Sequence, residues 1–331
     1  MIETVARVNL MVNEVLKIKK NRLMPDKLTG NERRLSLISG IYGDELQGQF
    51  ICYEVIRRIK EDYSSLTGIV DIYPSVNPMA LEAHTREIPG VELDMNELFP
   101  GAKSGAMGEY AASCIIDDII SSEDGPKTEF CFDLHGSNMY LTEIPQIRLN
   151  DDVVDEVMPY ATKLGPDMIW IHPSTQVKDG SLVYELNKRG VVSCVTESGC
   201  AYRINQDYGN QLIDGIFNLM SYMGIWQGEV KQKKKRPLVA YDSQVSYINS
   251  ESSGIFIPNI KIHDKVQAGM KIGSVVDVLT GSVQEVIIAP RKGIVSAMRE
   301  YPAIEVGSLL CRIVGTGSDK NDDILSEAKN H

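Results

Sequence analysis

From Leu35 to about Trp226 the chain alternates short apolar runs with longer amphipathic stretches. Leu35–Ser39 (LSLIS) reads as a buried strand ended by a glycine turn. The Glu45–Tyr63 stretch that follows sets Phe50, Ile51, Val55, Ile56 and Ile59 at helical spacing. Gly68–Tyr73 predicts a strand stopped by Pro74, Gly105–Ile120 a helix, and Phe130–Leu134 another strand. Met168–Ile171 and Val191–Val195 predict further strands, with Ser181–Lys188 helical between them and Asp207–Met223 a long closing helix. This alternation predicts an α/β layer with a parallel or mixed sheet. From about Leu238 to Val314 the texture changes to short β-branched runs broken by glycine, with no helical spacing. The reading is an α/β domain over 1–235, a smaller all-β barrel or sandwich domain over 238–315, and a polar tail over 316–331.

Composition narrows the classes. The 331 residues are 43% hydrophobic and 24% charged, as in ordinary globular chains, which excludes global disorder, collagen and coiled coil. The formal charge of −11 argues against a nucleic-acid or anionic-membrane binder, either of which needs a basic surface. The one basic run, Lys231–Arg236, reads as a solvated linker. No segment approaches the about 18 uninterrupted apolar residues of a membrane helix, and the first residues lack the apolar core of a signal peptide. The six cysteines are scattered with no CxxC pair, which reads as reduced thiols in a cytoplasmic protein.

In α/β folds ligands sit beyond the carboxyl ends of strands, and polar residues recur there. Gly40-Ile41-Tyr42-Gly43-Asp44-Glu45 follows the first strand, and Asn77-Pro78 follows the second, with His84 and Arg86 soon after. Asp133-Leu134-His135-Gly136 follows the third, Thr196-Glu197-Ser198-Gly199 a later one, and Asp94-Met95-Asn96-Glu97-Leu98-Phe99-Pro100-Gly101 lies between. Singly, each has a plainer reading: a hydrogen-bonding histidine, ordinary Asn-Pro and Phe-Pro-Gly turns, a first-turn helix acid at Glu45. No Gly-x-Ser-x-Gly elbow surrounds Ser137 or Ser198, and no P-loop or dinucleotide fingerprint follows a strand.

Taken together, these motifs resemble the succinylglutamate desuccinylase/aspartoacylase family, relatives of the zinc carboxypeptidases. The resemblance implies a zinc-carboxypeptidase-like mixed-sheet α/β sandwich with a smaller C-terminal all-β domain. It also implies a Zn²⁺-dependent amidohydrolase, or deacylase, acting on a small-molecule substrate, an N-acylated amine or amino acid. In that family a Gly-x-His-Gly-Asp-Glu turn and a later Asp-x-His supply three zinc ligands. Glu45 and His135 stand at two of those positions and Tyr42 at the third. Glu197 matches the catalytic glutamate that takes the water proton and passes it to the leaving amine. Arg86 matches an arginine that holds a substrate carboxylate, and Asn96 and Glu97 fall in the substrate loop.

Two departures stand out. Tyr42 replaces a histidine ligand, and a phenol must lose a proton with a pKa near about 10 before it ligates. Phenolate ligation of zinc or a harder divalent metal, recruitment of His84, or a site without metal all remain open. Glu97 reverses the charge of a family arginine, which predicts a substrate carrying an amine or amide where the family's substrate is anionic. The alternative function is a catalytically silent relative that binds a small ligand or serves as a structural or regulatory subunit. A homo-oligomer, with or without a paralogous subunit, is expected, with neither nucleic acid nor membrane as partner.

Overall fold

The computed structural model describes residues 1–122, 125–174, 180–231 and 236–315. Residues 232–235 of the basic run and the polar tail from 316 lie outside the described residues. The first part of the chain contains β1 (Ile2–Asn9), β2 (Val15–Leu23), β3 (Arg34–Ser39), α1 (Gln47–Glu61), β4 (Ile69–Tyr73), α2 (Pro78–Ala83) and α3 (Met107–Ile120). It continues through β5 (Phe130–Leu134), β6 (Leu141–Asn150), α4 (Val154–Ala161), β7 (Met168–His172), α5 (Leu182–Lys188), β8 (Val192–Gly199) and α6 (Gln206–Tyr222). Strands then follow as β9 (Leu238–Tyr241), β10 (Val245–Asn249), β11 (Gly254–Pro258), β12 (Lys265–Val266), β13 (Lys271–Asp277), β14 (Ser282–Ile288), β15 (Gly293–Arg299), β16 (Ala303–Ile304) and β17 (Leu309–Gly315).

The protein is a mixed α/β fold. Among the described residues a 13-stranded mixed sheet runs β1-β2-β4-β3-β5-β8-β6-β15-β17-β10, with β7 branching from β6, β9 beside β7 and β12 beside β15, and β11, β13, β14 and β16 form a separate antiparallel sheet. β4, β3, β5 and β8 are parallel neighbours, and β3, β4 and β5 are buried at every position, as a strand covered by helices on both faces must be. On one face α1 and α6 bury Ile51, Val55, Ile59, Leu212, Ile213 and Ile216 against the sheet. On the other, α3 and α5 pack Ile115, Ile119, Leu182 and Leu186 together with Ala6, Val8 and Ile18 of the β1–β2 hairpin.

β6 joins the two parts of the chain. Its first residues pair with β15, Glu143 facing Ala297, while its later residues pair with β7 and β8. The strand predicted over Val191–Val195 continues to Gly199, because its far end pairs antiparallel with β6, Gln146 opposite Glu197. Glu197 is therefore held inside a strand rather than in a loop after one. All six cysteines are buried and unbridged, and among the described residues no helix is long and apolar enough to cross a membrane.

Candidate active site

Three parallel strands deliver the candidate residues to one level. Ser39, Leu134 and Thr196 are register partners on β3, β5 and β8, so the next residues along are Gly40, His135 and Glu197. The turn after β3 is shaped by glycine. Gly40 has φ +67°, and a Cβ on Gly43 would lie 2.0 Å from the Ala80 carbonyl, at the backbone of α2. The Asn77-Pro78 pair explains why α2 sits there. The Asn77 side-chain oxygen accepts the Ala80 N–H at 3.3 Å as an N-cap, with Pro78 in the first turn, and its amide donates to the Ile41 carbonyl at 3.1 Å. This cap locks the segment leading to Arg86 against the Tyr42 turn.

Glu45 and His135 meet in the buried interior. His135 Nδ1 lies 2.9 Å from Glu45 Oε2, which also accepts the Gly136 N–H at 3.0 Å, and His135 Nε2 lies 2.9 Å from Asp133 Oδ2. Burial opposes the imidazolium, but Asp133 and Glu45 on its two nitrogens outweigh that and hold its pKa well above the ordinary range. Arg86 Nη1 donates to Glu45 Oε1 at 3.3 Å, Nη2 is 3.8 Å from Asp94 Oδ2, and the guanidinium carbon sits 3.5 Å from the centre of the Tyr42 ring. The Tyr42 hydroxyl donates to Asp94 Oδ2 at 3.2 Å. Burial raises its pKa, Arg86 opposes, and Asp94 and Glu45 reinforce the rise, so the phenol keeps its proton.

The other expected residues are placed differently. Asn96 Oδ1 accepts the Leu182 N–H at the start of α5 at 3.0 Å, a structural use of that side chain. Glu97 is exposed. His84 ends α2 in a left-handed conformation (φ 57°) and is exposed, and among the described residues no hydrogen bond joins its ring to Glu45 or His135. His263 has φ 71° and pairs through Nε2 with Asp167 at 2.9 Å.

Glu197 is supported by a network that sequence patterns did not reveal. Arg148 Nη1 donates to Glu197 Oε1 at 3.4 Å and its Nη2 to Glu143 Oε2 at 2.6 Å, while Arg312 Nη1 donates to Glu143 Oε1 at 2.5 Å. Burial pushes the Glu197 carboxyl up to about 7, with Arg148 opposing and Glu45 and Glu143 adding to the rise. A carboxyl poised there can take a proton and return it near neutral pH. Beside the network, burial and then Arg148 depress His172 to about 4, and its ring stacks on Trp170 at 4.4 Å.

A structural or catalytic zinc ion needs at least three converging protein donors. Among the described residues no group of three His, Cys, Asp or Glu side chains is placed to hold a metal ion. Glu45 and His135 offer two donors, and Tyr42 directs its proton to Asp94 with Arg86 across its face. This donor set does not fit the three-ligand zinc site that the resemblance implies.

The protein is a mixed α/β fold in which carboxylates and cations gather where the parallel pairing of β3, β5 and β8 ends. The model of the succinylglutamate desuccinylase/aspartoacylase catalytic domain matches residues 31–223, and the chain belongs to that family of hydrolytic deacylases. Solved structures show the same fold. A succinylglutamate desuccinylase/aspartoacylase from Rhodobacter sphaeroides has a TM-score of 0.78 at 20% identity, covering 96% of each chain. The product-bound ectoine utilization protein EutE (DoeB) from Ruegeria pomeroyi has 0.77 at 19%, covering 92% of this chain and 90% of that one. An aspartoacylase family protein from Mesorhizobium loti has 0.73 at 21%, covering 94% of each. No curated protein sequence matches the chain.

Proposed function

We propose that this chain is a deacylase that cleaves the acyl–nitrogen bond of a small N-acylated amine or amino acid, with Glu197 as general base and then general acid. The observation that carries this reading is placement. Glu197 stands level with His135, one residue past the parallel pairing of β3, β5 and β8, and Arg148 donates to its carboxylate at 3.4 Å. The Glu197 carboxylate accepts a proton from water as the water oxygen bonds to the acyl carbon. The carbon–nitrogen bond then breaks as Glu197 returns that proton to the leaving nitrogen. To Arg86, whose side chain is 46% exposed, the reading assigns the substrate carboxylate or the oxyanion. In this reading the protein's own side chains act without zinc, because the donor set of Tyr42, Glu45 and His135 does not fit it. Glu97 disfavours a second substrate carboxylate and favours an amine or amide at that end.

A second reading is favoured by the same Arg86–Glu45 and Tyr42–Asp94 contacts: a relative without turnover that binds a small ligand or serves as a subunit beside an active paralogue. Amine release from a panel of N-acetyl and N-succinyl amines, diamines and amino acids separates the two. Turnover that Glu197→Gln removes supports the deacylase, whereas saturable binding with no amine released supports the silent relative. N-acetylaspartate or succinylglutamate as the best substrate would contradict the role given to Glu97.

A further inference from the structure

The misfit of the metal donors coincides with a second feature, and the two have one physical explanation. We infer that Arg86 is the resident cation of this site, and that the cluster of Tyr42, Glu45, Asp94 and His135 is organised around its guanidinium in place of a metal ion. The inference goes beyond the deacylase reading and holds whether or not the site turns substrate over.

The bonding inventory supports it. Both Glu45 oxygens accept hydrogen bonds: Oε2 faces His135 Nδ1 and the Gly136 N–H, and Oε1 faces Arg86 Nη1. Both His135 nitrogens are engaged, with Glu45 and Asp133. Asp94 receives the Asn96 N–H at 2.8 Å on Oδ1 and the Tyr42 hydroxyl on Oδ2, the oxygen that also faces Arg86. A histidine at position 42 would present a ligating nitrogen. Tyrosine presents a broad aromatic face instead, and the guanidinium lies 3.5 Å above its centre, within the range of a cation–π contact. The residue that removes a metal donor thus supplies the platform for the replacing charge. A divalent ion between Glu45 and His135 would have to displace Arg86 from Glu45 and bear the repulsion of its charge nearby.

The test uses the full chain and needs no turnover. Zinc content of the purified protein and calorimetric titration with zinc chloride are measured for wild type, Tyr42→His and Tyr42→His/Arg86→Met. Thermal melts are recorded for Arg86→Met, Glu45→Gln and their double variant. The expected result is no stoichiometric zinc in wild type, and affinity in the Tyr42→His/Arg86→Met variant at least about tenfold above Tyr42→His, since Arg86 no longer competes for Glu45. Arg86→Met lowers Tm, and the double variant with Glu45→Gln loses less than the sum of the two single losses, because each single change already breaks the Arg86–Glu45 pair. One tightly held zinc per wild-type chain, equal zinc affinity with and without Arg86, no zinc binding by either position-42 variant, or an Arg86→Met protein as stable as wild type each overturns the inference. If the combined position-42 variant fails to fold, the melts of the Arg86 and Glu45 variants decide. An inactive wild type leaves this inference standing, and bound zinc overturns it without touching the role of Glu197.

Discussion

Arg312, near the end of the described chain, donates to Glu143 Oε1 at 2.5 Å across 169 residues of sequence. Glu143 also accepts Arg148, whose other nitrogen reaches Glu197. The last strand of the β-rich part thereby helps to set the position and charge of the proposed base. Arg312→Met leaves a buried carboxylate short of one partner and draws Arg148 toward Glu143. We predict a loss of about 3 kcal/mol in urea unfolding, and a pH–rate profile displaced to higher pH because Glu197 holds its proton longer. An unshifted profile with normal stability would remove Arg312 from the network.

The raised carboxyl of Glu197 has a defined sign in stability. Its folded pKa of about 7 exceeds an ordinary carboxyl value, so its contribution to stability is present below the unfolded pKa and is lost as pH rises through about 7. Between pH 5 and pH 8 wild type loses roughly 1–3 kcal/mol relative to Glu197→Gln, whose amide does not ionise. Urea unfolding of both proteins at the two pH values measures this. Parallel losses would place the titration elsewhere.

His172 works in the opposite direction. Its pKa near 4 lies below that of a free imidazole, so its contribution is present above the unfolded pKa and disappears as pH falls through about 4. His172→Gln, scanned by thermal melting from pH 7 to pH 4, should show a smaller acid-side drop in Tm than wild type. An equal drop would assign the loss to other groups.

The close approach at Gly43 admits no side chain. In Gly43→Ala the new methyl would meet the Ala80 backbone at 2.0 Å, displacing α2 from the turn that carries Tyr42 and Glu45. A loss of about 2–3 kcal/mol is expected, with substrate binding or turnover lost together with it. A variant of native stability and activity would mean that the turn yields easily.

The legible parts of the chain were those where apolar period alone decides the outcome. β3, β4, β5 and α1 are dense in buried aliphatic residues, and the polar residues that follow the strands carried the family resemblance. The N-terminal hairpin was not legible because β2 (VLKIKKNRL) reads as polar. Lys20 and Arg22 are nonetheless buried, paired with Asp71 of β4, and Lys20 also with Asp118 of α3, partners that only the tertiary structure supplies. β6 was hidden likewise by Pro145, Glu143 and Arg148, and with it the network behind Glu197. Arg86 was visible as a candidate, but its stacking on Tyr42 and its pairing with Glu45 depend on the Asn77 cap and the Gly43 turn, which no spacing reveals.

The proposed function is tested most directly by amine release from the N-acyl panel with wild type and Glu197→Gln side by side. The account predicts release from at least one substrate lacking a second carboxylate, falling by about a hundredfold or more in the variant while its affinity for that substrate is retained. Wild type that binds panel members yet releases no amine, or a Glu197→Gln protein as active as wild type, would contradict it.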